Sequence, residues 1–336
     1  MFAKQVGIDL GTTNIRAYVR GQGLVLDQPT IVAYSGTDDR TVAIGHEARE
    51  MEERSPSRYV FTRPIRAGVI ADYGVTALLL RHVLRRIVGR VNLSRPAVMV
   101  SIPAGVTNVE SRAVLDAVLY AGAREAHLIA APLAAGIGAN LPLASPSGNM
   151  VLDIGGGTCE AAVLSLNDIV VSSTTRQGGS RIDELIATFL KRRYNLLVGR
   201  HTAEEVKLQI GSALPQSENV TTEVRGIDQV SGLPKSVPVG TWEITEATAD
   251  AVNAIVATAR AALEQTPPEL ASDVVDKGMI LTGGGALLRN LDKLLTRETG
   301  IPAYLAEDPP ACVAVGAGKA LEHYKVFRDS LLHAGG

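Results

Sequence analysis

Two short stretches end an apolar run in an aspartate and follow it with small residues. The first is Val6-Gly7-Ile8-Asp9-Leu10-Gly11-Thr12-Thr13-Asn14, and the second is Val151-Leu152-Asp153-Ile154-Gly155-Gly156-Gly157-Thr158-Cys159-Glu160. Each is followed by a further apolar run, so each reads as strand, tight turn, strand. Glycines at such a turn let backbone N–H groups approach a ligand with no side chain between. A run of N–H groups facing one way forms a concave anion site suited to phosphates. A carboxylate beside that site repels a bare phosphate, so Asp9 and Asp153 make chemical sense there only with a cation between. Mg²⁺ fills this role while keeping several of its waters.

A third stretch, Met279-Ile280-Leu281-Thr282-Gly283-Gly284-Gly285-Ala286-Leu287-Leu288, reads as a strand, a glycine turn and a helix start. Any one of the three is equally readable as a structural turn. Together, with the first two repeating one order of residue types, they point to two like halves holding a nucleotide between them.

The elements that must position these loops are those of an α/β protein. The chain has 336 residues, enough for two domains of ordinary size, and 46% hydrophobic against 20% charged residues leaves ample material for a core. Gly is frequent at 33 residues, which fits close helix–sheet packing better than a β sandwich. Aromatic residues make up only 4% and net charge is −2, which argues against base stacking and against a nucleic-acid partner. Cys159 and Cys312 form no C-x-x-C pair and the six histidines are scattered, so zinc, haem and a disulfide framework are not expected. Met1 leads straight into a strand without a signal peptide, and the longest uncharged stretch, 126–152, is broken by Pro132, Pro142 and Pro146. A cytosolic protein is the expectation.

Along the chain, 6–10, 15–20 and 24–26 read as a strand meander, and 44–66 as a small polar insertion. Val75, Leu78, Leu79, Val83 and Ile87 give 69–88 a helical stripe, with Arg81, Arg85 and Arg86 off it on a solvated face. A buried strand is predicted over 97–102 and a short one over 127–129. Thr107 with Glu110 forms a capping box, and Gly122 ends that helix. Pro132 opens a helix over 133–140 that is nearly all Ala and Gly, as is 311–320. Their small faces suit a close crossing, either as the hinge between lobes or as ordinary packing. Further on, 169–175 is a strand, Ser180 with Asp183 caps one helix, Thr202 with Glu205 caps the next, and 215–239 is a small sheet. A long helix carries Val252, Ile255, Val256, Ala259 and Leu263 and stops at Pro267-Pro268.

The three glycine motifs, with Gly68-Val69-Ile70-Ala71-Asp72-Tyr73, Gly226-Ile227-Asp228 and Thr266-Pro267-Pro268-Glu269-Leu270, resemble the actin/Hsp70/sugar-kinase superfamily. Within it the wording is most similar to the MreB family of bacterial actins, over nearly the whole chain. The resemblance implies an actin-like α/β fold of two duplicated lobes. The first would be 1–145 with 320–336, carrying an insertion at about 33–67. The second would be 146–319, with an insertion at about 180–242. It implies ATP or ADP with Mg²⁺ in the cleft: Thr12, Thr13 and Asn14 on phosphate in one loop, Gly155, Gly156, Gly157 and Thr158 in the other. Asp9 and Asp153 would hold the metal through water. Glu204, Glu205, Val206 and Lys207 would serve ribose and adenine, and Gly283, Gly284, Gly285 and Ala286 would pass over the adenosine. It further implies self-assembly into filaments, paired as protofilaments, that lie on the inner face of the cell membrane. They would organise cell-wall synthesis and rod shape with elongation proteins such as MreC and RodZ.

Two departures from the family pattern stand out. Members usually carry a water-activating glutamate just before the proline at 132; here Ala131 stands at that catalytic position, after Ala130, and leaves Thr158 as the other catalytic residue the resemblance implies. Loss of a general base typically lowers a rate ~10²–10⁴-fold, so binding without efficient hydrolysis is expected. For the membrane, only Phe2 and the Val91/Leu93 loop offer apolar contacts, too few at ~0.8 kcal/mol per buried CH₂ to anchor a monomer. A sugar or acetate kinase on the same fold is the alternative, yet 130–139 offers neither an acid or base nor a polar pocket. A chaperone of this fold needs a peptide-binding domain, and few residues follow Tyr324.

Overall fold

In a computed structural model the structure describes residues 3–37, 40–54, 58–89 and 95–332. The chain opens with the meander β1 (Gln5–Leu10), β2 (Asn14–Val19) and β3 (Gly23–Pro29). A small unit follows: β4 (Val32–Ser35), β5 (Thr41–Ile44), α1 (His46–Arg54) and β6 (Tyr59–Thr62), its sheet ordered β5-β4-β6. The ribbon β7 (Ile65–Arg66) and β8 (Val69–Ile70) leads to α2 (Tyr73–Val88). The predicted helix over 69–88 therefore starts later, because Asp72 accepts the Val75 N–H at 3.0 Å as its N-cap. Then come β9 (Ala97–Ile102), α3 (Asn108–Tyr120), β10 (Glu125–Ala130) and α4 (Ala131–Gly138). The Thr107–Glu110 capping box is present in both directions.

The second half repeats the scheme with β11 (Asn149–Ile154), β12 (Cys159–Ser165) and β13 (Asp168–Thr175). Its insertion comprises α5 (Gly179–Tyr194), β14 (Leu196–Leu197), α6 (Arg200–Ile210), β15 (Thr221–Asp228) and β16 (Pro234–Gly240). Then follow α7 (Thr241–Glu264), α8 (Pro268–Lys277), β17 (Met279–Thr282), α9 (Leu291–Thr299), β18 (Ala303–Leu305), α10 (Cys312–Glu322) and α11 (Tyr324–Phe327). The proline pair ends α7 as expected, but Pro268 also opens α8, a first-turn position where a missing N–H does no harm.

The two main sheets run β3-β2-β1-β9-β10 and β13-β12-β11-β17-β18. Each is an antiparallel meander continued by two parallel strands, so the halves share one topology. Strand period decides what lies on each face. On β9, Val98, Val100 and Ile102 face a core built with α2 and α3, while Ala97 and Met99 face another built with α4 and α10. On β11, Met150, Leu152 and Ile154 face α7 and α9, while Val151 joins that same inner core. Helices α4 and α10 thus lie between the sheets. They cross closely: a Cβ on Gly316 would strike the Ala134 carbonyl, and one on Gly138 would strike Cys312. The Ala/Gly composition of 133–140 and 311–320 is explained by that crossing.

Candidate functional site

Both aspartates sit at strand ends facing one cleft between the sheets. The cleft is lined by Asp9, Thr12, Thr13, Asn14, Ala131, Asp153, Gly155, Gly156, Gly157, Thr158, Glu204, Lys207, Gly283, Gly284 and Gly285. Fifteen positions singled out from sequence are therefore brought to one place. It encloses about 200 Å³.

The two loops interlock. The first is held by Thr30, whose N–H and hydroxyl donate to the Thr13 and Gly11 carbonyls at 2.8 and 2.9 Å. The second closes on itself through Gly155 N–H to the Thr158 carbonyl at 2.9 Å. It is braced by α5, whose Gly179 and Ser180 N–H groups donate to the Gly155 and Gly156 carbonyls at 2.9 and 2.8 Å. Thr12 and Thr13 lie where a Cβ on Gly157 or Gly156 would have to go. Gly68 N–H donates to Thr12 Oγ1 at 3.0 Å. The Thr13 hydroxyl and the Ser180 hydroxyl are buried without a partner among the described residues, polar groups of the kind a ligand satisfies.

The acidic groups differ in their surroundings. Asp9 accepts from Ser101 Oγ at 3.2 Å and stands 3.8 Å from Arg16; burial raises its carboxyl pKa, and both of those partners oppose the rise. Asp153 accepts from Thr282 Oγ1 at 2.9 Å, but burial and the nearby Asp9 push its carboxyl up to about 7. Two neighbouring carboxylates that repel each other, Asp153 buried and Asp9 partly so, suit a hard dication held through oxygen and water. No cluster of three metal-ligating side chains exists among the described residues, so the protein alone forms no complete cage. The donor set fits Mg²⁺ carried largely by phosphate oxygens and water.

Other expected contacts are engaged differently. Lys207 pairs with Asp183 at 2.7 Å and reaches the Gly179 carbonyl at 3.4 Å. Glu204 is held by Arg49 of α1 at 2.6 Å, and the same Arg49 nitrogen lies 2.7 Å from His201 Nδ1. This contact joins the two insertions. Glu205, Val206 and Ala286 do not line the cleft. Glu205 is exposed and pairs with His201 at 3.2 Å, Val206 is packed into the core of the second insertion, and Ala286 into the core under α9. On one helical turn only Glu204 and Lys207 share the cleft side. Nor do Ser180–Asp183 and Thr202–Glu205 act as caps: α5 and α6 start from Gly178 and Gly199 without side-chain caps. Phe2, Val91 and Leu93 lie outside the described residues.

Ala131 begins α4 and faces the cleft with a methyl group alone. Ser101, Arg16, Asp183 and Glu160 also line the cleft; Asp183 was expected as a helix cap, and the other three carried no sequence expectation. Glu160 is 1% exposed, and burial, only partly opposed by the Ala104 N–H, pushes its carboxyl up to about 7. Its signal was available: one acid inside the apolar run 159–164.

Residues 3–329 match the family model described as MreB/Mbl protein. The chain belongs to the MreB/Mbl family. It is 48% identical over 328 residues to the cell shape-determining protein MreB of Escherichia coli (strain K12), spanning 96% of this chain and 94% of that protein. It is 42% identical over 323 residues to the cell shape-determining protein Mbl of Bacillus subtilis (strain 168), spanning 96% and 97%. Among solved structures, MreB 5 of Spiroplasma citri bound to AMPPNP superimposes with a TM-score of 0.91 at 33% identity, covering 98% of this chain and 99% of that one. The MamK double helical filament superimposes with a TM-score of 0.79 at 21% identity, which speaks for the fold alone. The fold is actin-like, and the chain is an MreB/Mbl homologue of the cell-shape cytoskeleton. No helix among the described residues is long and apolar enough to cross a membrane.

Proposed function

We propose that this chain is an ATP-binding bacterial actin homologue that polymerises, lies on the inner face of the cell membrane, and hydrolyses ATP weakly. The observation that carries the reading is the interlocked pair of loops, with an aspartate behind each and glycines wherever the facing threonines need room. The lobes would be 1–145 with 320–336, and 146–319. Thr12, Thr13 and Asn14 would take the phosphates from one side, and Gly155, Gly156, Gly157 and Thr158 from the other. Glu204 and Lys207 would reach ribose and adenine, and Gly283, Gly284 and Gly285 would lie along the adenosine. Mg²⁺, when bound, would neutralise the phosphates; Asp9 and Asp153 would hold it through water. The Spiroplasma MreB 5 relative was solved with AMPPNP and with ADP, which supports a nucleotide here.

Ala131 has no proton acceptor, so the usual contribution from that position is lost and phosphoryl transfer leans on positioning and electrostatics around the phosphates. Hydrolysis would therefore be slow and ATP filaments long-lived. Many weak apolar contacts summed along a filament would give membrane avidity that a monomer lacks. Paired protofilaments and the elongation proteins MreC and RodZ are the partners this reading assigns.

The test is equilibrium binding of a fluorescent ATP with Mg²⁺, beside sedimentation with ATP, AMPPNP and ADP. Tight binding is expected, with ATP and AMPPNP driving assembly equally because assembly needs no cleavage. A chain that binds no nucleotide would overturn the reading.

A further inference from the structure

The cleft is lined by a buried carboxylate, Glu160, to which the function proposed above gives no role. Glu160 is the second residue of β12, two positions after Thr158 of the loop. Its face is defined by the packing further along the strand. Cys159, Ala161 and Val163 point into the core under α7, while Ala162 and Leu164 point into the core around α4. Glu160 therefore lies on the α4 side, at the end of the strand nearest the phosphate loop. Ala131 is the first residue of α4. The β10 strand that delivers it pairs with β9, Ala130 opposite Ile102. Two residues beyond Ile102, the Ala104 N–H donates to Glu160 Oε1 at 2.8 Å. Glu160 and the methyl of Ala131 thus border the same space.

The two oxygens of Glu160 have different duties. Oε1 accepts from Ala104 N–H and from Thr174 Oγ1 at 3.1 Å, which straps the end of β9 to β12 and fixes the rotamer. Oε2 is buried and has no hydrogen-bond partner among the described residues. A structural strap needs only one oxygen. A buried acceptor left open is costly unless a ligand or water fills it.

The geometry points to Glu160 as the water-activating residue of this chain, taking the place that Ala131 leaves empty. This rests on the ATP reading above. Glu160 Oε2 accepts a proton from the attacking water. The water oxygen bonds to the terminal phosphorus, the bond from that phosphorus to the bridging oxygen of ADP breaks, and ADP keeps the electron pair. Glu160 approaches from β12 rather than from the start of α4, so hydrolysis through it is slow and does not vanish.

The experiment is single-turnover phosphate release with Mg-ATP, with nucleotide affinity measured on the same samples. The parent, Glu160→Gln, Ala131→Glu and the double variant are compared. Glu160→Gln keeps an acceptor for Ala104 and is expected to lose phosphate release ~10²-fold or more with nucleotide affinity unchanged. Ala131→Glu in that background is expected to restore release, which the loss of a merely structural strap would not allow. A parent that binds ATP but releases no phosphate overturns the assignment, as does a Glu160→Gln variant that releases it at the parental rate. A parent that binds no ATP removes the nucleotide reading itself, a different failure. Should Glu160→Gln not fold, Glu160→Asp keeps the charge and withdraws it by one methylene; the same loss is expected, and an unchanged rate overturns the assignment.

Discussion

The two loops that follow Asp9 and Asp153 share one backbone plan and divide its work unequally. The first carries the side chains: Thr12, Thr13 and Asn14, with Arg16 and Ser101 tempering Asp9. The second supplies the room: Gly156 and Gly157 lie where Thr13 and Thr12 of the first loop press, and its aspartate accepts from the Thr282 hydroxyl while burial and Asp9 outweigh that bond and the pull of Arg16. The first is tied to a residue after β3, the second to the first turn of α5. A duplicated motif can thus specialise, one copy offering hydrogen-bonding groups and the other yielding space and a carboxyl that burial and its neighbour Asp9 disfavour as a charge.

The largest effect that would break this contrast lies at the second aspartate. With its carboxyl raised by burial and by Asp9 to about 7, Asp153 contributes stability fully present below its unfolded pKa of 3.8, and lost as pH rises through about 7. Asp153→Asn removes that penalty. In EDTA and without nucleotide, the variant should be more stable than the parent at pH 8, by roughly 1–4 kcal/mol, with the gap closing toward pH 5. Its affinity for Mg-ATP should fall. Thermal unfolding across pH checks the first part, and a constant gap would remove the argument.

The next effect concerns space. Gly156→Ala should weaken nucleotide binding by about 1–3 kcal/mol, because the added methyl overlaps the Thr13 hydroxyl. Thr13→Gly in the same chain should recover part of it, with a coupling of ~0.5–3 kcal/mol in a double-mutant cycle. Strictly additive losses would mean that the loops do not press on each other.

The smallest effect lies outside the loops. Arg49 spans the cleft mouth to Glu204 and His201 from a partly exposed position. Such a pair contributes ~0.2–1 kcal/mol, so Arg49→Ala should speed nucleotide release by up to ~5-fold. Stopped-flow chase of a fluorescent nucleotide reads this directly; slower release would show that Arg49 opens the cleft rather than closing it.

The loops and their aspartates were legible because the chemistry is local: one apolar run, one acid, then residues small enough for backbone to meet phosphate. The Ala/Gly helices were legible as close-packed, while their place between the sheets came only with the fold. Local rules misled where tertiary partners prevailed. Ser180 and Asp183 have the spacing of a cap, yet Asp183 turns to Lys207 and Ser180 is buried beside the cleft. Thr202 and Glu205 have it too, yet α6 begins two residues earlier and Glu205 turns to His201. Asp72, a true cap, was hidden inside a run read as continuous helix. Glu160 stayed unread because its meaning depends on which side of β12 meets α4, a fact of packing rather than of spacing.

The central claim is that Ala131 leaves this chain able to bind ATP and poor at cleaving it. Steady-state phosphate release by filaments at saturating Mg-ATP, parent beside Ala131→Glu, tests it most directly. The account predicts a slow parent and a variant faster by ~10²-fold or more. Equal rates in the two would contradict it, and would mean that the carboxylate at 131 is not what sets the speed of this cleft.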